Sequence, residues 1–341
     1  MLCCRVHHGG YWPTMACHDY HESVTRLPVG CCAGVASITL VNIAVTSEDP
    51  MSRLPRYSTL AMLTLAATAF ALGGSPVQAQ TPAPTISEVT QGIHVIRGRG
   101  GNIGVSVGDD GVFMIDDQFA PVTGALRTLI AGVTDKPIRF LLNTHFHGDH
   151  TGGNENLGSA GVTIFAHDNV RVRLLGNGAP AVALPVVTFN DTTTFHMNGQ
   201  TIHVFHSAGA HTDGDTLIHF READVIHMGD TYFNGFYPFI DVNSGGSLAG
   251  TLAAVDTALA LAGENTRIIP GHGPMSNRAE LIAYRDMLIA ARDGIQPLIA
   301  DGKSVEQVIA AKPTAALDGE WGDGFLNPER FVRTVYGSLS K

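Results

Sequence analysis

Between His145 and His150 the chain places three imidazoles and a carboxylate within six residues, on His145, His147, Asp149 and His150. The run follows the apolar segment from Pro137 to Asn143, which reads as a buried strand. Any fold for this chain must therefore end a buried strand in a tight loop that gathers four polar side chains. In extended backbone a two-residue spacing points His145 and His147 the same way. Asp149 and His150 are then free to serve a neighbouring point in space. Imidazole and carboxylate are ligands of catalytic zinc, and the same donors also suit iron or manganese. Gly148, Gly152 and Gly153 permit the tight bends that such packing needs.

One catalytic zinc takes about three protein ligands, and two ions need more than this loop supplies. Three later residues have the right setting. His211 lies in a turn rich in glycine and aspartate between two candidate strands. Asp230 directly follows a strand beginning at Val225, and His272 sits in the turn from Pro270 to Pro274. Each is a polar residue at the end of an apolar strand, where sheet proteins present reactive groups. The remaining histidines read as structural. His94, His203, His219 and His227 fall inside candidate strands, His167 and His206 lack a glycine-rich context, and His196 belongs to a polar loop.

The length of 341 residues suits one large domain or two ordinary ones, and 44% hydrophobic residues provide a sizeable core. A net charge of −10 without a basic run argues against nucleic acid as a partner. The five cysteines, Cys3, Cys4, Cys17, Cys31 and Cys32, all precede residue 33. No thiolate ligand, cysteine nucleophile or disulfide framework is therefore available to the rest of the chain. The adjacent pairs also lack the spacing of a zinc knuckle.

From Met51 the chain reads as a signal peptide over residues 51–79. Arg53 and Arg56 supply positive charge, Leu60 to Leu72 an apolar stretch, and Ala79 a small residue for cleavage. This implies a periplasmic or secreted protein with no stable membrane span after cleavage. Residues 1–50 then read as a non-native extension, and 80–87 as a flexible lead-in. Residues 88–341 contain no visible linker and are expected to form one domain. Strands are expected at 92–96, 103–107, 112–115, 163–166, 201–205, 216–220, 225–228 and 267–270. The Asp109-Asp110-Gly111 triplet is a hairpin signal. Helices are expected at 123–133, 248–261, 277–292, 304–311 and 328–339, with Asn277 as N-cap and Glu280 placed for a capping box.

The run His145, His147, Asp149, His150, followed by His211, Asp230 and His272, resembles the metallo-β-lactamase superfamily over roughly residues 88–275. The resemblance implies an α/β fold, a four-layer αββα sandwich with two zinc ions at one edge of its sheets. It implies His145, His147 and His211 on the first ion, Asp149, His150 and His272 on the second, and Asp230 bridging both. Asp116 matches the early acidic position of the family and would orient the histidine loop. A metal-bridging hydroxide would attack a small-molecule substrate at an amide, β-lactam, ester or thioester carbonyl, with Asp149 orienting the nucleophile or moving a proton.

Departures from the β-lactamases proper bear on substrate. One subclass carries cysteine where this chain has Asp230, and another usually carries a small hydroxyl residue there. A bridging aspartate is typical of glyoxalase II-like thioesterases, lactonases and general hydrolases. The segment 231–247 also resembles periplasmic metallohydrolases associated with quinoprotein and sulfur-oxidation systems. Its Tyr232, Phe233, Phe236, Tyr237 and Phe239 read as an aromatic wall for a hydrophobic substrate. No Lys or Arg lies near Asp230 in sequence to grip a substrate carboxylate, and Arg171 and Arg173 read as solvated. Three classes follow: a zinc hydrolase of β-lactams or related cyclic substrates, a thioesterase or accessory hydrolase of a periplasmic redox pathway, and a non-catalytic metal-binding protein.

Overall fold

A computed structural model describes residues 83–341. The expected leader and the segment before it lie outside the described residues.

Two sheets organise the fold. The first runs in sequence order through β1 (Thr85–Thr90), β2 (Ile93–Arg97), β3 (Ile103–Gly108), β4 (Gly111–Ile115), β5 (Ile138–Leu142), β6 (Thr163–His167) and β7 (Val187–Phe189). Its strands are antiparallel up to β4 and parallel from β4 to β7. The second contains β8 (Thr192–Met197), β9 (Gln200–His206), β10 (Thr216–Phe220), β11 (Val225–His227), β12 (Arg267–Ile269) and β13 (Ser276–Asn277), laid side by side from β13 back to β8. Only the β11–β12 pair is parallel.

The layering follows from strand periodicity. Successive side chains of a strand face opposite ways, and β4 is apolar and buried on both faces. Phe113 and Ile115 face the second sheet and pack with Ile202, Val204 and Ile218. Val112 and Met114 face outward against Leu126 and Ile130 of α1 (Thr123–Ala131). Short helices α2 (Gly148–Thr151) and α3 (Asn154–Ser159) follow β5, and α4 (Asp168–Gly176) follows β6. The second sheet is covered by α5 (Leu248–Leu261), α6 (Arg278–Ala300), α7 (Val305–Ala310), α8 (Asp318–Trp321) and α9 (Pro328–Leu339). Val255, Leu281, Leu288 and Phe331 from these helices share one core with Leu217, Ile226 and Ile268. The order is helix, sheet, sheet, helix, an αββα sandwich. No helix among the described residues is long and apolar enough to cross a membrane.

Several expectations change. Residues 85–87, expected within a flexible lead-in, begin β1 and pair with β2. His196, expected in a loop, lies in β8, whose alternate side chains are exposed and whose hydropathy contrast is therefore weak. Helix α6 passes residue 292 and Pro297 to reach Ala300, with inward-facing Ile295 fully buried beneath it. Asn277 caps α6 by accepting from the backbone N–H of Ala279 and Glu280. Glu280 does not complete a capping box; its carboxylate accepts from Asn234 Nδ2 at 3.3 Å. The reciprocal box forms instead between Ser304 and Gln307, at the start of α7.

Candidate metal centre

Strand ends from both sheets converge at one edge of the sandwich. Asp116 follows β4, His145 follows β5, and Asp230 and His272 follow the parallel strands β11 and β12. His211 lies in the connection between β9 and β10. His147 precedes α2, and Asp149 and His150 stand within it. All seven sequence-predicted residues meet here. Their ligand atoms form two groups, each with its atoms within 4.8 Å of one another: His145, His147, His211 and Asp230 in one, and Asp149, His150 and His272 in the other.

Asp230 joins the groups. Its Oδ2 lies 3.8 Å from His145 Nε2 and 3.6 Å from His211 Nε2. Its Oδ1 lies 3.0 Å from His150 Nε2 and 3.4 Å from His272 Nε2. Asp149 Oδ2 lies 3.2 Å from His272 Nε2 and 3.7 Å from His150 Nε2. Gly271 is required at this junction, because a Cβ there would stand 2.1 Å from Asp230 Oδ1.

The outward-facing nitrogens define the tautomers. Asp116 is fully buried, with a left-handed φ of 62°. It accepts from the Thr144 backbone N–H and hydroxyl, and from His150 Nδ1, each at 2.7 Å. Having donated its proton to Asp116, the Thr144 hydroxyl can only accept from His145 Nδ1, at 3.1 Å. His211 Nδ1 donates to the Phe239 carbonyl at 2.7 Å, and His147 Nε2 donates to Asp241 Oδ2 at 3.1 Å. His145, His147 and His211 therefore each turn a lone pair inward, the outer-partner arrangement characteristic of metal-binding histidines. Burial lowers His150, but Asp230 and Asp116 raise it well above the usual histidine range, and a bound cation would replace its inner proton.

This donor set fits cations. His147 Nδ1 and His211 Nε2 face one another at 2.9 Å with lone pairs that repel unless a cation stands between them. His145 Nε2 is buried without a hydrogen-bond partner, a costly state that a metal would relieve. The electrostatics agree. Burial and the neighbouring His150 hold His145 well below the usual histidine range. Burial lowers His211 to about 4, so both rings are neutral and ready to ligate. Burial pushes Asp230 upward, but His150 and His272 outweigh it and keep the carboxylate ionised. Burial lowers His272, yet Asp230 and Asp149 raise it to about 9; a bound cation would replace its proton.

A cavity of about 720 Å³ opens over the centre. Asp149 and His272 reach it, with 30% and 23% of their side chains exposed, whereas His145 and His150 are sealed beneath. Its walls include Phe119, Phe233, Phe236, Phe239 and Phe325, and exposed Arg99 and Asp323 complete the lining. The expected aromatic wall is thus divided: Phe233, Phe236 and Phe239 face the cavity, while Tyr232 and Tyr237 are fully buried in the core. Arg171 and Arg173 do not line this cavity. Arg171 donates to the Pro185 carbonyl, and Arg173 grips Asp213 through two bonds. A cation does stand at the site in Arg99, which sequence proximity to Asp230 could not reveal.

A family model for the Metallo-beta-lactamase superfamily matches residues 96–272. A hydroxyacylglutathione hydrolase from Polaromonas sp. strain JS666 is 27% identical over 167 residues, spanning 47% of this chain and 58% of that protein. The chain thus spans about six tenths of the length of the hydroxyacylglutathione hydrolases it matches. Among solved structures, a metallo-beta-lactamase from Pontibacter korlensis superposes with a TM-score of 0.53 at 19% identity, covering 60% of this chain and 98% of that one. The sec-alkylsulfatase Pisa1 from Pseudomonas sp. superposes with a TM-score of 0.63 at 19% identity, covering 74% of this chain and 50% of that one. Both likenesses concern the fold.

Proposed function

The chain belongs to the metallo-beta-lactamase superfamily, and on that premise we propose that it is an exported, two-zinc hydrolase of carboxylic esters or thioesters. The observation that carries this reading is Asp230, whose Oδ2 faces His145 and His211 and whose Oδ1 faces His150 and His272. His145, His147 and His211 would hold one ion, and Asp149, His150 and His272 the other. Zinc ions so held supply Lewis acidity and make water a nucleophile near neutral pH.

The chain's own residues do the rest. Buried His145 and His150 keep the rigid floor of the site free of solvent. Asp149 is the exposed carboxylate. Burial would raise it, but the hydrogen bond from His272 and the charge of His150 lower it, so it is ionised and able to accept a proton. It can take that proton from attacking water and return it to the leaving alcohol or thiol. The phenylalanine walls exclude water and receive an apolar acyl or leaving group. Similarity to hydroxyacylglutathione hydrolase supports the acyl-transfer class and a thioester bond. Export rests on the leader read at 51–79.

The test is a panel of a 4-nitrophenyl ester, an aryl thioester and nitrocefin, assayed with protein of measured zinc content. The ester and thioester should turn over, and Asp149→Ala should reduce turnover about a hundredfold or more. Faster cleavage of nitrocefin than of either acyl substrate would overturn the bond assignment. No turnover with two zinc ions bound would overturn the enzymatic reading.

A further inference from the structure

The apolar side chains over the metal centre are all phenylalanines, and their rings come from distant parts of the chain. Phe233 stacks on His272 with ring centres 5.3 Å apart, tying one wall to a metal-centre imidazole. Phe325 meets Phe239 edge-on at 6.3 Å, yet remains 65% exposed. An exposed large ring that continues an apolar cavity marks a surface built to be covered by a ligand.

Arg99 is the one lysine or arginine in that lining. Its guanidinium lies over the Phe119 ring at 5.9 Å, and no carboxylate among the described residues pairs with it. Arg173 makes the contrast, since both of its bonds to Asp213 are already formed, at 2.6 and 2.8 Å. The backbone carrying Arg99 is also held firmly. Gly101 N–H donates to the Asp149 carbonyl at 3.1 Å, and Gln118 Nε2 donates to the Gly101 carbonyl at 2.8 Å. Asn102 Nδ2 donates to the carbonyls of Pro270 and Gly273, on either side of His272. The connection that carries Arg99 is thereby anchored, at Gly101 and Asn102, between the two loops that supply Asp149 and His272.

We propose that Arg99 recognises an anionic group on the substrate, and that the natural substrate is an apolar or aromatic acyl compound whose anion lies away from the scissile bond. The inference rests on the acyl-hydrolase reading. An aromatic chamber rewards an apolar body but does not orient it. An unpaired guanidinium supplies the missing fixed point, because it binds a carboxylate, sulfate or phosphate through charge-assisted, two-pronged hydrogen bonds. Asp323 in the same lining disfavours an anion beside it and so leaves Arg99 as the place for one.

The experiment compares two esters of equal acyl length, 4-nitrophenyl hexanoate and the mono-4-nitrophenyl ester of adipic acid, on the zinc-loaded protein. Arg99→Gln should lower kcat/KM for the adipate ester about tenfold more than for the hexanoate, mostly through KM. Arg99→Lys should recover part of the difference. Equal losses on both esters would overturn the proposal. Calorimetry with 4-phenylbutyrate and 4-phenylbutanol keeps the question separate from turnover. If neither ester is cleaved, the hydrolase reading fails, but a selective loss of phenylbutyrate binding in Arg99→Gln still supports anion recognition. Unchanged preference between the two ligands would overturn it.

Discussion

His147 turns one ring nitrogen toward the metal centre and the other toward Asp241, and this second contact has the clearest consequence for a single side chain. Burial pushes the Asp241 carboxyl upward, but donors from Ser244 and His147 outweigh it and hold the group ionised. The anion fixes the His147 tautomer and increases the basicity of its inward nitrogen. Asp241→Asn should therefore weaken zinc binding by about 10–100-fold, measured by competition with a chromophoric chelator. Unchanged affinity would mean that the contact is incidental. The seven inward-facing donors were legible because each sits in a glycine-bearing turn at the end of an apolar run. Asp241 carries no such mark, and 94 residues separate it from the ring it holds. Only folding brings the two together.

At the level of elements, the connection between β2 and β3 acts as a plate pressed against the metal centre. Gly101 is where the approach is closest: a Cβ there would stand 2.1 Å from His150 Cε1 and 2.5 Å from its Nε2. His150 cannot retreat, since Asp116 holds its far side at 2.7 Å. Gly101→Ala should therefore cost about 1–3 kcal/mol of stability through overpacking. On the proposed two-ion reading it should also lower the metal content, as the trio of Asp149, His150 and His272 is displaced. Thermal unfolding and elemental analysis check the two parts. A variant with full metal content and wild-type stability would show that the plate yields. The histidine loop of this region was visible in the sequence, whereas the plate was not. Glycines in a turn announce flexibility, and nothing local states which ring will lie against them. The same limit explains β8, an edge strand whose polar alternation hides it. Helices α5 and α9 are the opposite case: their apolar faces are long enough for the expected and observed bounds to coincide.

At the scale of the whole molecule, the order of strands and helices was enough to imply a layered sheet core, but the joint between its sheets had to be seen. His227 forms part of that joint. It lies in β11 of the second sheet, and its Nε2 donates at 3.1 Å to the carbonyl of Asn102, which leads into β3 of the first. Its Nδ1 accepts from the Gly229 N–H at 3.2 Å. Both nitrogens are used by the neutral ring, and protonation would put a second N–H against the Gly229 donor. Burial accordingly lowers its pKa from 6.5 to about 4. Because the folded value is the depressed one, the native state binds fewer protons than the unfolded chain below pH 6.5. The stability from this ring is fully present above pH 6.5 and is lost as the pH falls toward 4. A gap of about 2.5 pH units corresponds to about 3 kcal/mol, a large share of the stability of a typical domain. Urea unfolding of the metal-free protein between pH 7 and 4.5 should therefore show a steep acid loss. In His227→Gln that loss should be shallower by the ring's share, with lower stability at pH 7, where the neutral inter-sheet bond is weakened. The metal-centre histidines contribute equally to both proteins and cancel in the comparison. Identical slopes would show that the ring does not couple acid sensitivity to the seam on which the metal centre rests.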